Sequence, residues 1–191
     1  MPRLFIALPL ADEVESRLGH IIADLRPDGS SVKWVASNNI HLTVKFLGDT
    51  DDRLIPAIIK HLETIASQFQ PMSATIDRLG AFPNLRKPRV IWAGSSAPPE
   101  MAGRIAEAVD AAVHGLGFER ETRKFKPHLT LGRVKQGRSV GHLPEALENY
   151  RLTPIPFRLD RLVLFKSTLT PQGALYDRLA ECPLGEERFG G

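Results

Sequence analysis

Cysteine is nearly absent from this chain of 191 residues, which contains Cys182 alone. A single cysteine excludes an internal disulfide and a thiolate metal cluster, and we expect the reducing cytoplasm as its location. No run approaches the roughly 20 apolar residues that a transmembrane helix needs, so we expect no membrane partner. Residues 1–9 hold only a brief apolar run before Asp12 and Glu13, which predicts a first strand and not a signal peptide.

Other signatures are missing as well. There is no Gly-x-x-x-x-Gly-Lys loop for a nucleoside triphosphate, and no His-x-x-x-His or Cys-x-x-Cys spacing for a metal. The charge balance is only mildly basic, with 25 Lys and Arg against 22 Asp and Glu and a formal net charge of +3. Such an excess suits an anionic substrate, although many proteins without one share it.

Hydrophobic periodicity predicts a chain in which strands and helices alternate. Short apolar runs bounded by turn residues are typical of strands, and apolar residues three and four positions apart are typical of amphipathic helices. The predicted strands are residues 3–8, 32–35, 40–47, 73–79, 88–94, 128–133, 156–166 and 174–180. The predicted helices are residues 12–25, 51–67, 98–113 and 143–150.

The two halves of the chain match one another. Three segments recur in the same order: residues 3–8 match 89–94 at an offset of 86, 41–44 match 128–131 at an offset of 87, and 76–79 match 159–162 at an offset of 83. We infer an internal duplication, each copy running strand, helix, His-x-Thr strand, helix, strand. The predicted fold is therefore α+β, with two pseudo-twofold lobes forming a single bilobal domain over residues 1–191.

The His-x-Thr strand of the first copy has a polar face and an apolar face. Strict alternation places His41, Thr43 and Lys45 on one face and assigns Phe46 to the opposite, apolar face. Phe46 is then expected to pack in the core. Lys45 is expected beside His41, where a lysine near a strand end is often simply solvated.

The second copy repeats the polar pair with His128 and Thr130. Zinc usually needs at least three protein ligands, and two histidines with two threonines supply only two good ones, so we expect no metal and no other cofactor. Two histidines can instead act as general acid and base on opposite sides of a phosphorus atom, because the imidazole pKa lies near cellular pH. The hydroxyls of Thr43 and Thr130 can donate hydrogen bonds to the non-bridging oxygens.

These motifs carry a resemblance to a known family. Residues 34–35 (WV), 41–48 (HLTVKFLG) and 125–133 (FKPHLTLGR) strongly resemble the 2H phosphoesterase superfamily, and within it the RNA 2',3'-cyclic phosphodiesterases long called 2'-5' RNA ligases. Residues 3–8, 82–83 and 164–167 also look like family elements. The resemblance implies antiparallel sheets that line a central cleft, with helices outside.

The resemblance also implies a mechanism. His41 would protonate the leaving 3'-oxygen of a 2',3'-cyclic phosphate at an RNA end, His128 would activate water, and Thr43 and Thr130 would hold the phosphate. The product would be a 2'-phosphate. The partner is then RNA or an oligonucleotide with a cyclic phosphate end, and we expect a monomer because the cleft would lie within one chain.

Other candidate residues have two interpretations each. Arg133 contacts the substrate phosphate or a surface carboxylate, and Phe125 stacks on a base or packs in the core. Residues 86–89 (RKPR) form a basic loop along an RNA path or a solvated turn.

Two other functions remain open at this point. Ligation of a cyclic phosphate end to a 5'-hydroxyl would use the same histidines, with an alcohol in place of water. A non-catalytic RNA-binding module would show salt-dependent binding without turnover.

Overall fold

The structure is a computed structural model that describes residues 1–171 and 173–185. The strands are β1 (Arg3–Pro9), β2 (Val32–Trp34), β3 (His41–Asp49), β4 (Met72–Ile76), β5 (Arg78–Phe82), β6 (Val90–Gly94), β7 (Leu129–Val134), β8 (Ile155–Leu159), β9 (Arg161–Thr170) and β10 (Gly173–Pro183). The α-helices are α1 (Asp12–Leu25), α2 (Ile55–Ser67), α3 (Glu100–His114) and α4 (Leu143–Asn149). Short 3-10 helices lie at Ser37–Asn39 and Asp52–Leu54.

The main sheet has eight strands, and its pairings are antiparallel. Its order is β10-β9-β1-β3-β7-β6-β5, with β2 also paired to β7. We call β10, β9, β1 and β3 the His41 lobe, and β7, β6, β5 and β2 the His128 lobe. The lobes join where Leu42 of β3 pairs with Leu129 of β7.

A pseudo-twofold axis relates the lobes. Leu42 and Leu129 are equivalent positions of the duplicated sequence, so the axis passes between them. The small sheet of β4 and β8 lies on the same axis, because its pairs Met72–Leu159 and Ile76–Ile155 exchange under the same symmetry. The strand pairing therefore has the same twofold relation as the residue matches between the two halves.

Each lobe contains elements from both copies of the repeat. In the His41 lobe, β9 of the second copy pairs with β1 of the first. In the His128 lobe, β5 of the first copy pairs with β6 of the second. Helices are exchanged in the same way, since α3 packs against β3, while α1 packs against α4.

Two predicted strands are each divided in the structure. Residues 73–79 form β4 and β5, and residues 156–166 form β8 and the start of β9, with the chain crossing from the small sheet to the main sheet at Asp77 and Asp160. At the first crossing, the backbone N–H of Asp77 donates to the carbonyl of Gly94, and its carboxylate accepts from the backbone N–H and hydroxyl of Ser96. The pattern of apolar residues continues across both crossings. The sequence therefore shows no break where the chain changes its partner strand.

The sheet carries apolar residues on both faces of β1. Leu4, Ile6 and Leu8 are buried in the main core, under the helices. Phe5 and Ala7 point to the other face, where they form a second cluster with Val163, Phe165 and Tyr176. This aromatic cluster lies on the face of the sheet that carries the His-x-Thr residues.

Candidate active site

A β-bulge interrupts β3 after the first His-x-Thr residues. Thr43 pairs with Ala7 and Lys45 pairs with Ile6, so Val44 has no partner on β1. One extra residue in a strand shifts every later side chain to the opposite face. At Lys45 and Phe46, the strict alternation assumed from sequence is therefore reversed.

The predicted faces of Lys45 and Phe46 are consequently wrong. Phe46 pairs with Phe5 and shares the face of His41 and Thr43, with its ring centroid 6.0 Å from that of Phe5. It is 65% exposed, so it is not a core residue. Lys45 points to the helix side, where its ammonium donates to the carboxylate of Asp110 at 2.6 Å.

The second His-x-Thr strand has a bulge at the equivalent position. Thr130 pairs with Trp92 and Gly132 pairs with Ile91, so Leu131 is unpaired on that side. Arg133 therefore shares the face of Thr130, as Phe46 shares that of Thr43. Since 46 and 133 are equivalent positions of the repeat, the cleft carries an exposed aromatic ring on one side and an exposed guanidinium on the other.

The pairing between the lobes brings the two motifs together. In an antiparallel pair, the residue before Leu42 lies on the side of the residue after Leu129. His41 is therefore on the side of Thr130, and His128 on the side of Thr43. Each histidine lies beside the threonine of the other copy.

His41 is surrounded by aromatic rings. Its imidazole stacks on Phe5 at 4.8 Å between centroids and lies 5.9 Å from Phe165, while Tyr176 meets it edge-on at 5.5 Å. Burial disfavours the imidazolium, and a hydrogen bond with the backbone of Asn39 only partly opposes this, so the pKa of His41 falls to about 4. His41 is therefore a neutral imidazole near neutral pH.

His128 has a less aromatic environment. Phe82 meets its ring edge-on at 5.0 Å. Burial lowers the pKa of His128, the hydrogen bond with the Lys126 backbone raises it, and the charge of Arg133 lowers it further; the net pKa is below the ordinary value. Phe82 and Phe165 are equivalent in the repeat at the offset of 83, so each histidine packs against the same phenylalanine of the duplicated unit.

A backbone hydrogen bond sets the tautomer of His128. Its Nδ1 lies 2.7 Å from the carbonyl oxygen of Lys126. A carbonyl only accepts, so Nδ1 carries the hydrogen and the lone pair of the neutral ring is on Nε2. The bond to Asn39 at His41 is equivalent, since both partners lie two residues before the histidine. Both rings are thereby oriented by their own chain.

The charge of Arg133 acts on the pKa of a residue in each lobe. Burial raises the pKa of Tyr176, and the charge of Arg133 opposes that rise. The same guanidinium lowers the pKa of His128, in the other lobe. Arg133 is exposed and forms no ion pair among residues 1–171 and 173–185. Its positive charge therefore remains available at the cleft.

With this geometry in place, comparison with known proteins identifies the family. A model of the 2'-5' RNA ligase superfamily matches residues 12–170. The chain belongs to this superfamily. An RNA 2',3'-cyclic phosphodiesterase of Thermotoga maritima is 35% identical over 181 residues, which are 94% of each chain. One of Methanocaldococcus jannaschii is 32% identical over 180 residues, which are 94% of this chain and 99% of the relative.

Solved structures share the fold. TT0787 of Thermus thermophilus has a TM-score of 0.79 at 29% identity, covering 97% of this chain and 100% of that one. Escherichia coli LigT complexed with 3'-AMP has a TM-score of 0.73 at 24% identity, covering 97% and 99%. The α+β fold with two pseudo-twofold lobes, predicted from the duplication and the resemblance, is confirmed.

The remaining sequence candidates are distributed around this superfamily fold. Phe125 is half-buried and packs against the main core. Residues 86–89 line a groove beyond the end of β7. Within residues 1–171 and 173–185, no three His, Cys, Asp or Glu side chains are grouped as metal ligands. No helix in the same part of the chain is long and apolar enough to cross a membrane.

Several residues near the two histidines are not among the site residues that the sequence predicts. The rings of Phe5, Phe82, Phe165 and Tyr176 were not singled out as site residues, although extending the offset of 83 pairs Phe82 with Phe165. That extension was the available signal for two of them. Phe5 and Tyr176 reach His41 only through pairing of β1, β9 and β10, which no local pattern shows.

One further motif has a structural explanation. Residues 137–141 (GRSVG) have the Gly-x-Ser-x-Gly spacing of a nucleophile elbow. An elbow needs a sharp turn from a strand directly into a helix, but here eight residues separate the end of β7 from the start of α4. Ser139 is exposed, accepts from the backbone N–H of Gly141, and has no hydrogen bond with a histidine in the described part of the chain. It is a turn serine.

Proposed function

We propose that this protein is an RNA 2',3'-cyclic phosphodiesterase that hydrolyses cyclic phosphate ends to 2'-phosphates without a metal ion. One observation carries the proposal: two histidines at equivalent positions of a duplicated unit meet on one sheet, each beside the threonine of the other copy. In-line displacement at phosphorus needs a base and an acid on opposite sides. A pseudo-twofold pair of imidazoles meets that need. The names of the relatives agree with this reaction.

The tautomer of His128 assigns its role in the proposed reaction. Nε2 takes a proton from water as the water oxygen attacks phosphorus. The bond between phosphorus and the 3'-oxygen breaks, and His41 gives its proton to that oxygen. One proton is gained and one is lost, so the two histidines exchange protonation states and a proton transfer through solvent restores them. Thr43 and Thr130 donate hydrogen bonds to the non-bridging oxygens.

The low pKa of His41 has two consequences for this role. An imidazolium with a pKa of about 4 is a strong acid toward the leaving 3'-oxygen. It is also scarcely protonated near neutral pH before substrate binds. The negative charge of the bound phosphate favours the protonated ring, so substrate binding and protonation of His41 are coupled.

The two bulges prepare different contacts on the two sides of the phosphate. Phe46, 65% exposed beside the His41 face, offers a flat apolar surface on which a nucleobase stacks. Arg133 offers a guanidinium, which pairs with phosphate oxygens. An aromatic surface and a fixed positive charge suit a nucleotide with its phosphate.

We also propose that residues 1–191 act as a single bilobal domain and as a monomer. The exchange of β5 and β9 supports this, because neither copy completes its own sheet without a strand of the other. The cleft then lies within one chain.

The cytoplasm remains our proposed location, on the grounds that the one cysteine, Cys182, is buried and suited to reducing conditions.

The test is hydrolysis of a short RNA with a 2',3'-cyclic phosphate end, in EDTA, with the product assigned by phosphorus NMR. Wild type is expected to yield a 2'-phosphate. His41→Ala and His128→Ala are each expected to lower kcat by about 10²- to 10⁴-fold, because each removes a general acid–base group.

A matched control is His61→Ala, which removes an exposed histidine from the outside of α2. It should leave the rate unchanged. The proposal fails if wild type does not turn over in EDTA, or if either cleft variant keeps the full rate. A 3'-phosphate product would instead reverse the identity of the leaving oxygen.

A further inference from the structure

A basic groove lies beyond the far end of β7. It has a volume of about 620 Å³ and forms where the connection between β5 and β6 meets the segment after β7. Its cationic lining residues are Arg86, Lys87, Arg89, Lys135 and Arg138. No Asp or Glu lines it, and none of these five side chains forms an ion pair within the described residues. Because the whole chain has a net charge of only +3, the groove concentrates positive charge that the rest of the surface lacks.

The groove is built on the same hairpin as the site of His128. The backbone N–H of Val134 donates to the carbonyl of Arg89 at 2.9 Å, which joins the two walls. The N–H of Arg89 in turn donates to the carbonyl of Phe82 at 2.7 Å. The ring of Phe82 packs against His128. Short backbone hydrogen bonds therefore hold the groove in a constant position relative to His128.

The length of strand β7 gives the distance between His128 and the groove. His128 precedes its first residue, and Val134, its last, lines the groove. Six residues at about 3.3 Å each place the groove roughly 20 Å from His128. Arg133 lies on the cleft face between them. Positive charge thus continues from the proposed phosphate site to the groove.

We propose that this groove binds the sugar–phosphate backbone of an oligoribonucleotide several nucleotides upstream of its cyclic phosphate end. The inference rests on the proposed function, because the 3' end in the cleft determines which part of the RNA reaches the groove. Stacked nucleotides advance about 3.4 Å each along a strand, so 20 Å corresponds to roughly six nucleotides. A mononucleotide cannot span this distance. The protein therefore selects oligonucleotides over cyclic mononucleotides.

The chemistry of the lining favours phosphate. Guanidinium groups bind phosphate oxygens with two parallel hydrogen bonds, and the lysines add point charges. Gln136 and Ser139 add neutral donors to the same groove. Contacts of this kind position RNA without reading its sequence, so we expect the groove to be indifferent to base identity.

The test variant is Arg86→Gln/Lys135→Gln/Arg138→Gln. Binding of a fluorescent 12-nucleotide RNA with a 2'-phosphate end is measured by anisotropy between 50 and 200 mM salt. If each of the three cations meets one phosphate, the slope of log affinity against log salt becomes shallower by about 2, and affinity near 0.1 M salt falls by up to roughly 100-fold. The kcat/KM for a 2',3'-cyclic mononucleotide should stay within about twofold of wild type, since these side chains lie outside the cleft.

The matched control is Lys60→Gln/Arg104→Gln/Arg158→Gln. It removes the same charge from exposed positions on α2, α3 and β8, outside the groove. Its salt slope for the 12-nucleotide RNA should stay within about 0.5 of wild type. An equal change in both triple variants would mean that net charge alone matters, and would overturn the groove proposal.

The binding probe does not need to be hydrolysed, so the two proposals fail separately. If the groove variant loses RNA affinity but wild type hydrolyses no RNA, the proposed function is refuted and RNA binding in the groove still stands. Normal hydrolysis by wild type, with an unchanged salt slope in the groove variant, would refute RNA binding in the groove and leave the proposed function standing. An acidic peptide that displaces the RNA as well as unlabelled RNA of equal charge would overturn the assignment to RNA.

Discussion

Replacing Lys45 with methionine tests the ion network behind the sheet that carries the two histidines. The Lys45 ammonium donates to Asp110 at 2.6 Å and to the carbonyl of Glu119 at 2.8 Å. The two side chains of the ion pair are only 9% and 13% exposed. Asp110 also accepts from Arg120 at 3.2 Å and from the backbone N–H of Glu121 at 3.0 Å. The network therefore joins β3 to α3 and to the segment that leads on to His128.

The expected loss of folding free energy in each variant depends on which partners the remaining charged group keeps. Removing one partner of a buried ion pair costs about 3–5 kcal/mol, because the remaining charge is buried without compensation. In Lys45→Met, Asp110 keeps Arg120 and the Glu121 N–H, so we expect a smaller loss of about 2–3 kcal/mol. In Asp110→Asn, the nearly buried ammonium keeps only neutral acceptors such as the Glu119 carbonyl, and Arg120 loses the same carboxylate, so we expect about 3–5 kcal/mol. Asp110→Asn should be the more destabilised variant.

The stability that this ion pair provides should fall as the pH is lowered. Burial raises the pKa of Asp110, but hydrogen bonds from Lys45, Glu121 and Arg120, with the charge of Lys45, outweigh it, so the pKa lies below its usual value of 3.8. A depressed carboxyl pKa stabilises the folded state above the unfolded-state pKa, and that stability is lost as pH falls through the folded-state pKa. The advantage of wild type over Lys45→Met should be full above about pH 5 and shrink below pH 4.

The assay is urea unfolding followed by tryptophan fluorescence at pH 7 and at pH 3.5. The control is Arg53→Gln, which breaks the ion pair with Asp51 in which the Arg53 side chain is 89% exposed. This control should have the wild-type unfolding midpoint. Wild-type stability in both Lys45→Met and Asp110→Asn, or a greater loss in Lys45→Met than in Asp110→Asn, would refute the reasoning.

Two further predictions concern the cleft. The proposed mechanism needs one protonated and one neutral imidazole. Because the pKa of His41 is about 4 and that of His128 is below its ordinary value, kcat/KM should then peak below pH 6.5 and be at least about tenfold lower at pH 7.5. A pH–rate profile in which kcat/KM is highest above pH 7 would contradict the lowered pKa values. Phe46→Ala should raise KM for a 2',3'-cyclic nucleotide by about 5- to 150-fold, because stacking contributes about 1–3 kcal/mol per base. Folding stability should change little because the ring is 65% exposed, Phe46→Tyr should restore KM, and an unchanged KM in Phe46→Ala would exclude stacking.

Local sequence was sufficient for the four helices, for most of the strands and for the candidate pair of histidines. Strand and helix periods depend on neighbouring residues, so α1, α2, α3 and α4 were predicted within about two residues of their ends, apart from the first turn of α2, which is a 3-10 helix. The duplication was visible because both copies retain His-x-Thr between apolar residues. The resemblance to the superfamily depends on the same residues. No tertiary information was needed for these conclusions.

The faces of the side chains after each bulge could not be predicted in this way. Val44 and Leu131 are unpaired only in relation to β1 and β6, and nothing in residues 41–48 or 128–134 themselves indicates an extra residue. Strict alternation therefore placed Phe46 in the core and Lys45 in the cleft, the reverse of what the structure shows. A bulge is a property of two paired strands, and a single strand's pattern does not contain it.

The sequence by itself determined the residue matches between the halves, the helices, most of the strands and the presence of two chemically suitable histidines, because these depend on patterns of residues that are legible along the chain. Tertiary structure decided which strands each lobe exchanges, which rings surround His41, what Lys45 binds, and how residues 86–89 and 135–140 form one groove. The physical reason is distance along the chain. Burial and charge pairing depend on neighbours that are often dozens of residues away in sequence, and only the folded backbone brings them into contact.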